Sequence, residues 1–132
     1  MTDKPIKIIK FAKLSFVPAT HEDKDNPGSL KKVLFHAFDI PKDVKIQMFN
    51  WSRILKGKSF NAHYHEDMDE IFVILNGRVR LTVKDKEFTM ETGDSVYIPQ
   101  KYIHQMFNQF DHDVDYIALG LSRGLGGKSV NV

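Results

Sequence analysis

The spacing of its apolar residues constrains this chain most. No stretch sustains a 3.6-residue repeat, and short apolar or alternating runs recur between turn residues. Short strands punctuated by turn signals imply a sandwich or barrel. Strands are expected over residues 6–11, 31–38, 45–55, 60–65, 70–75, 78–83, 87–90, 95–98, 103–110 and 114–121. Asn26-Pro27-Gly28 and Thr92-Gly93-Asp94 mark turns, and Lys84-Asp85-Lys86 turns the chain again. Asn76-Gly77 between two such runs predicts a two-residue hairpin, because both central residues of a type I′ turn need positive φ. Residues 71–75 are apolar without interruption, so both faces of that strand should be covered. The glycine-rich tail is expected to be irregular.

The 132 residues suit one domain, 1–132, and hydrophobic content of 42% leaves no case for disorder. With 19 basic and 17 acidic side chains scattered along the chain, no nucleic-acid surface is expected. The absence of cysteine excludes thiolate metal sites, disulfides and Cys nucleophiles. Lys7, Lys10 and Lys13 break the apolar residues between Ile6 and Val17, so no secretory leader is expected. No run reaches the ~20 apolar residues of a membrane helix. The expected location is cytoplasmic, with no membrane partner.

Six histidines are present, two of them in His63-Tyr64-His65. Side chains i and i+2 of a strand share a face, about 7 Å apart at the Cα level, so the two imidazoles could converge on one ion. Glu70 opens an apolar strand, where an unpaired charge is expensive to bury. His104 follows Pro99 in an alternating run with Met106 and Asn108. Three imidazoles and a carboxylate suit Mn, Fe, Co, Ni or Zn without choosing among them. Spacing alone leaves a second reading open: hydrogen-bonded core histidines, with Glu70 at a solvent-facing strand end.

Gly57, His63-x-His65, Glu70 and Gly77, with five, four and six residues between them, resemble the first motif of the cupin superfamily. Gly93, Pro99, His104 and Asn108 resemble the second, and nine of the ten defining positions match. The departure is Lys101, where the family usually has glycine, and it implies a changed turn near the barrel mouth. The motifs span residues 57–77 and 93–108, within a barrel running from about residue 31 to residue 121. The resemblance implies an all-β, double-stranded β-helix or jelly-roll barrel. It also implies one divalent transition metal per chain, bound by His63, His65, Glu70 and His104. Small cupins often form homodimers through N-terminal strands, so residues 6–11 are expected at a dimer contact.

Met48, Phe72, Lys101 and Met106 are expected to line a pocket for a small-molecule ligand or substrate, with Lys101 able to meet an anion. His21, His36 and His112 lie outside the motifs and are read as structural or exposed; Tyr64 is read as packing. Glu66, Asp67 and Asp69 lack EF-hand spacing and read as a solvated acidic loop. Gly127-Lys128-Ser129 has no helix to follow it and cannot form a phosphate loop. No Gly-x-Ser-x-Gly elbow is present. The resemblance favours a metalloenzyme, a sugar-type isomerase or a small-acid dioxygenase; the alternative is a non-catalytic binding or sensing module.

Overall fold

The computed structural model describes residues 9–40, 45–122 and 127–132. Eleven strands are present among them: β1 (Val17–Pro18), β2 (Ser29–Phe35), β3 (Ile46–Ile54), β4 (His63–His65), β5 (Met68–Ile74), β6 (Arg78–Val83), β7 (Lys86–Glu91), β8 (Ser95–Ile98), β9 (His104–Phe107), β10 (Val114–Ser122) and β11 (Ser129–Asn131). They form two antiparallel sheets, ordered β1-β2-β3-β10-β5-β8 and β11-β4-β9-β6-β7. This is the expected jelly-roll β-barrel.

Period-2 alternation sets which side chains enter the barrel. Along β10, Val114, Tyr116, Ala118 and Gly120 are buried while their neighbours are half-buried. The continuous apolar run of β5 follows from its position between β10 and β8. Its inner face carries Glu70, Phe72 and Ile74, and its outer face holds Ile71 and Val73, both half-buried. The core gathers at one end of the barrel, where Ile54, Ile74, Val79, Leu81, Met106 and Val114 are almost fully out of water.

Four expectations need correction. Asn76-Gly77 does not close a hairpin, because β5 and β6 belong to different sheets. It is a corner that carries the chain from one sheet to the other. Gly77 has φ +85°, and a Cβ there would lie 2.9 Å from Val114 Cγ2, so glycine is required for conformation and for space. The two-residue hairpin is Lys84-Asp85, between the paired Val83 and Lys86. Second, of the tail expected to be irregular, residues 123–126 lie outside the described residues, and Ser129–Asn131 form β11, which pairs with β4 and lengthens the sheet that carries the histidines.

Third, of the strand expected over residues 6–11, residues 6–8 lie outside the described residues. Ile9 and Lys10 are not in a strand, and Phe11 opens a 3-10 turn, Phe11–Lys13. That turn packs on the outside of its own sheet: the Phe11 ring lies 4.8 Å from Trp51, and Lys32 Nζ donates to the Phe11 carbonyl at 3.0 Å. Fourth, the acidic stretch is not a solvated loop. Asp67 and Asp69 are buried, and β5 already begins at Met68. Asp69 accepts hydrogen bonds from the backbone N–H of Gln100 at 2.8 Å and from the Tyr97 hydroxyl.

Lys101 keeps the turn that glycine would make. Its φ is +67°, and its N–H donates to the His65 carbonyl at 2.7 Å. A left-handed non-glycine residue costs about 1–2 kcal/mol, part of which glycine gives back as unfolded-chain entropy. Lys101→Gly should therefore raise the unfolding free energy by about 0.5–1 kcal/mol, read from urea melts. A loss of stability instead would show that the lysine stem contributes packing larger than the strain.

Candidate metal centre

His63, His65, Glu70 and His104 are all buried, and one ligand atom from each lies within 4.8 Å of the others. The fold explains the convergence. His63 and His65 share a face of β4, and His63 sits directly opposite His104 on β9. Glu70 reaches the same point from β5, in the other sheet. The group therefore spans the two layers.

Hydrogen bonds on the far side of each ring orient it. His63 Nδ1 donates to the Asn61 carbonyl at 2.6 Å, and His104 Nδ1 donates to the Tyr102 carbonyl at 2.9 Å. A carbonyl only accepts, so both Nδ1 atoms carry the proton in the neutral ring and both Nε2 atoms present a lone pair. His65 Nδ1 lies 3.0 Å from Ser129 Oγ on β11, which can play the same part.

Glu70 Oε1 lies 2.7 Å from His65 Nε2 and 3.0 Å from His104 Nε2. Neither approach has the alignment of a hydrogen bond, and all three atoms are buried without a hydrogen-bond partner. Buried polar atoms rarely stay unpaired. Lone pairs and a carboxylate oxygen crowded together without mutual hydrogen bonds are a donor set that fits one divalent transition ion. Such an ion would also remove the objection to burying these groups.

The electrostatics agree. Burial holds the His63 imidazole down to about 3, with His21 and His104 adding to the effect. Burial alone would raise the Glu70 carboxyl, but His104 and His65 hold it well below the usual carboxylate range. Both groups thus favour the forms that bind a cation, neutral imidazole and carboxylate.

The centre opens into a cavity of about 410 Å³ between β2, β3, β10 and the histidine sheet. Met48 and Phe72 are in its wall. The other two expected pocket residues are elsewhere. Met106 is in the core with no exposed surface, because its position on β9 places it at the apolar end. Lys101 is exposed on the turn after Pro99 and is not in the wall.

His21 and His36 both line the cavity; His36 is exposed there, as expected, and His21 has the structural role expected of it, packed on His63. The His21 ring stacks on His63 at 4.0 Å, and its Nδ1 lies 3.0 Å from Glu22 Oε2. No spacing rule placed a loop histidine there. His112 is exposed, beside Asp111. Ser129 was hidden in a tail whose glycines gave no strand signal.

Two layers of antiparallel strands closed around three imidazoles and a carboxylate define a β-barrel with a group able to hold one metal ion. The chain belongs to the cupin family: the family model described as "Cupin domain" (Cupin_2) matches residues 50–120. It is similar to the uncharacterized protein MJ1618 of Methanocaldococcus jannaschii, at 34% identity over 94 residues, covering 67% of this chain and 74% of that one. Among solved structures it resembles a predicted oxalate decarboxylase from Thermotoga maritima, with TM-score 0.76 and 18% identity, covering 88% of this chain and 99% of the other. It also resembles a cupin-superfamily sugar phosphate isomerase from Silicibacter pomeroyi, with TM-score 0.72 and 20% identity, covering 87% and 75%. At these identities the two structures support the fold and not the activity.

Two outcomes are expected. Ser129→Ala should weaken metal affinity about tenfold by freeing the His65 ring, measured by competition with a chelating dye; unchanged affinity would remove Ser129 from the orienting set. Metal-free protein should lose stability on acidification. The unfolded chain takes up a proton at His63 near pH 6.5, whereas the folded chain refuses it down to about 3, so stability falls with pH across that window. Glu70, ordinarily near 4.5 and lowered here, adds to the loss as pH falls through its range. A melting temperature of chelated protein that stayed level over this window would contradict the assignment.

Proposed function

We propose that this protein is a metal-dependent enzyme acting on a small polar metabolite. The observation that carries the reading is the convergence of unpaired Nε2 and Oε1 atoms from His65, His104 and Glu70 beside a cavity sized for a small ligand. A divalent transition ion held by His63, His65, Glu70 and His104 would supply Lewis-acid polarisation of a ligand oxygen or, if iron or manganese, oxygen chemistry.

The chain's own residues bind and shelter the ligand. Phe60 and Phe72 form an apolar floor beside the histidines, with ring centroids 5.9 and 6.0 Å from His104. They limit water access and favour strong electrostatic contacts. Tyr116 lines the same wall; burial and the Glu70 charge push its phenol up, so it remains an un-ionised hydroxyl. Isomerisation of a sugar-type compound and dioxygenation of a small acid both fit this wall. The metal's identity narrows the choice: iron points to oxygen chemistry and zinc to isomerisation, while manganese serves either.

The test is elemental analysis of freshly purified protein, beside His63→Ala and His104→Ala, followed by NMR of the holo-protein with sugars, sugar phosphates and keto acids. About one metal per chain, lost in the variants, and new product resonances dependent on it are expected. Ligand shifts without turnover would overturn the enzyme reading and leave a binding barrel. Chelation should lower the melting temperature, since saturation at a hundredfold excess over Kd contributes about 2.7 kcal/mol.

A further inference from the structure

The β2 wall of the cavity carries a cation outside the convergent metal group. Lys31, half-buried on β2, lines the cavity, and its Nζ donates to Thr20 Oγ1 at 2.6 Å. It has no acidic partner among the described residues. Glu70 is the single carboxylate in the cavity wall among them. It stands on β5, with β3 and β10 between it and β2, and its carboxylate lies against His65 and His104. Burial pushes the Lys31 ammonium down, and no neighbouring charge offsets that cost. An ammonium has three donors, so two remain after Thr20 is served. The Thr20 hydroxyl, accepting from Lys31, keeps its own O–H to donate.

A second unsatisfied group faces the same space. Asn50 is only 5% exposed, lines the cavity, and its Oδ1 has no hydrogen-bond partner. Its Nδ2 makes one weak contact, 3.6 Å to Met48 Sδ. A buried amide oxygen left unpaired costs about 1–3 kcal/mol, and a ligand hydroxyl would remove that cost. The register places the two groups together: Lys31 is opposite Ser52 and Val33 is opposite Asn50, so Lys31 and Asn50 occupy consecutive inward rows of adjacent strands.

We propose that Lys31, with Thr20, recognises the charged end of a small hydroxylated oxyanion, a carboxylate or a phosphate ester, while Asn50 accepts from one of its hydroxyls. This substrate class rests on the reading that the cavity serves a metal-bound metabolite. The wall is matched to such a ligand in sign, because Lys31, its one lysine or arginine among the described residues, has no acidic partner among them. A neutral polyol would leave Lys31 as it is, whereas an oxyanion completes it.

The test is calorimetric titration of metal-loaded full-length protein with gluconate, glucose 6-phosphate and neutral glucitol. At least one anion should bind about tenfold more tightly than glucitol, a preference worth about 1.4 kcal/mol. A preference for gluconate alone assigns a carboxylate, and one for glucose 6-phosphate alone assigns a phosphate. Lys31→Met should erase the preference to within about twofold while Lys31→Arg keeps most of it, and Asn50→Leu should weaken all hydroxylated probes. Raising the ionic strength should reduce the wild-type preference, which keeps the test open if Lys31→Met does not fold. Equal binding of glucitol, no binding of either anion, or an unaltered preference in Lys31→Met would overturn the proposal. Metal content, measured on the same samples, separates the two readings. A Lys31-dependent anion preference in protein that binds no metal sinks the metal reading alone, and full metal without that preference sinks this one alone.

Discussion

The Glu70 carboxylate, almost wholly out of water, lies against the Nε2 atoms of His65 and His104 without a hydrogen bond to either, and this unpaired convergence spans the two sheets. A lone buried carboxylate is unfavourable by several kcal/mol, so the surrounding backbone has to hold its partners in place. It does so through the turn after Pro99. Gln100 donates to Asp69, which is next to Glu70 in sequence, and Lys101 donates to the His65 carbonyl. That turn leads directly into His104. The three elements that carry these side chains are thus tied to one another by hydrogen bonds that leave the convergent ring nitrogens and Glu70 carboxylate oxygens free.

The same strands that build the centre also divide the barrel along its length. On β3 the inward residues run from Ile54 through Ser52 and Asn50 to Met48. On β5 they run from Ile74 through Phe72 to Glu70. At one end they interdigitate as a dry core, and at the other they leave a cavity. Alternation alone fixes which residues point inward. The change from apolar to polar along each strand fixes where the filling stops. Gly120 marks that transition on β10: paired with Met48 and Glu70, it leaves room where a Cβ would meet Met68 Sδ at 2.4 Å.

The four convergent residues were legible because two rules act on them together. The period of two puts His63 and His65 on one face, and the motif spacing supplies Glu70 and His104. Pairing between distant strands was less legible. Nothing local tells Asn76-Gly77 whether to return within one sheet or cross to the other, because the backbone conformation required of Gly77 suits both. Ser129-Val130-Asn131 is too short to announce a strand, and it becomes one only because β4 offers a free edge. Lys31 carried a readable parity with Val33 and Phe35, yet parity does not say which face is inside. Lys101, chosen from its motif position, was a cation near the right barrel and outside its cavity.

This division has a consequence for chemistry. The four convergent side chains, a group able to hold a metal ion, all lie within residues 50–120, the segment the family model covers. Thr20, Lys31, Phe35, Met48 and Ser129, which shape the cavity, lie outside it. Family membership therefore carries information about the ion and little about the ligand. Fold and function separate here within a single domain. The central strands keep a donor set that many reactions can use, while β2, the loop before it and the C-terminal strand form much of the wall a ligand would meet. Substitutions in those flanks can alter which molecule is held without disturbing the hydrogen bonds that orient His63 and His104, because Asn61 and Tyr102 present backbone carbonyls to them. The structure thus puts Thr20, Lys31 and Ser129, on the cavity wall, on elements that the motifs do not describe.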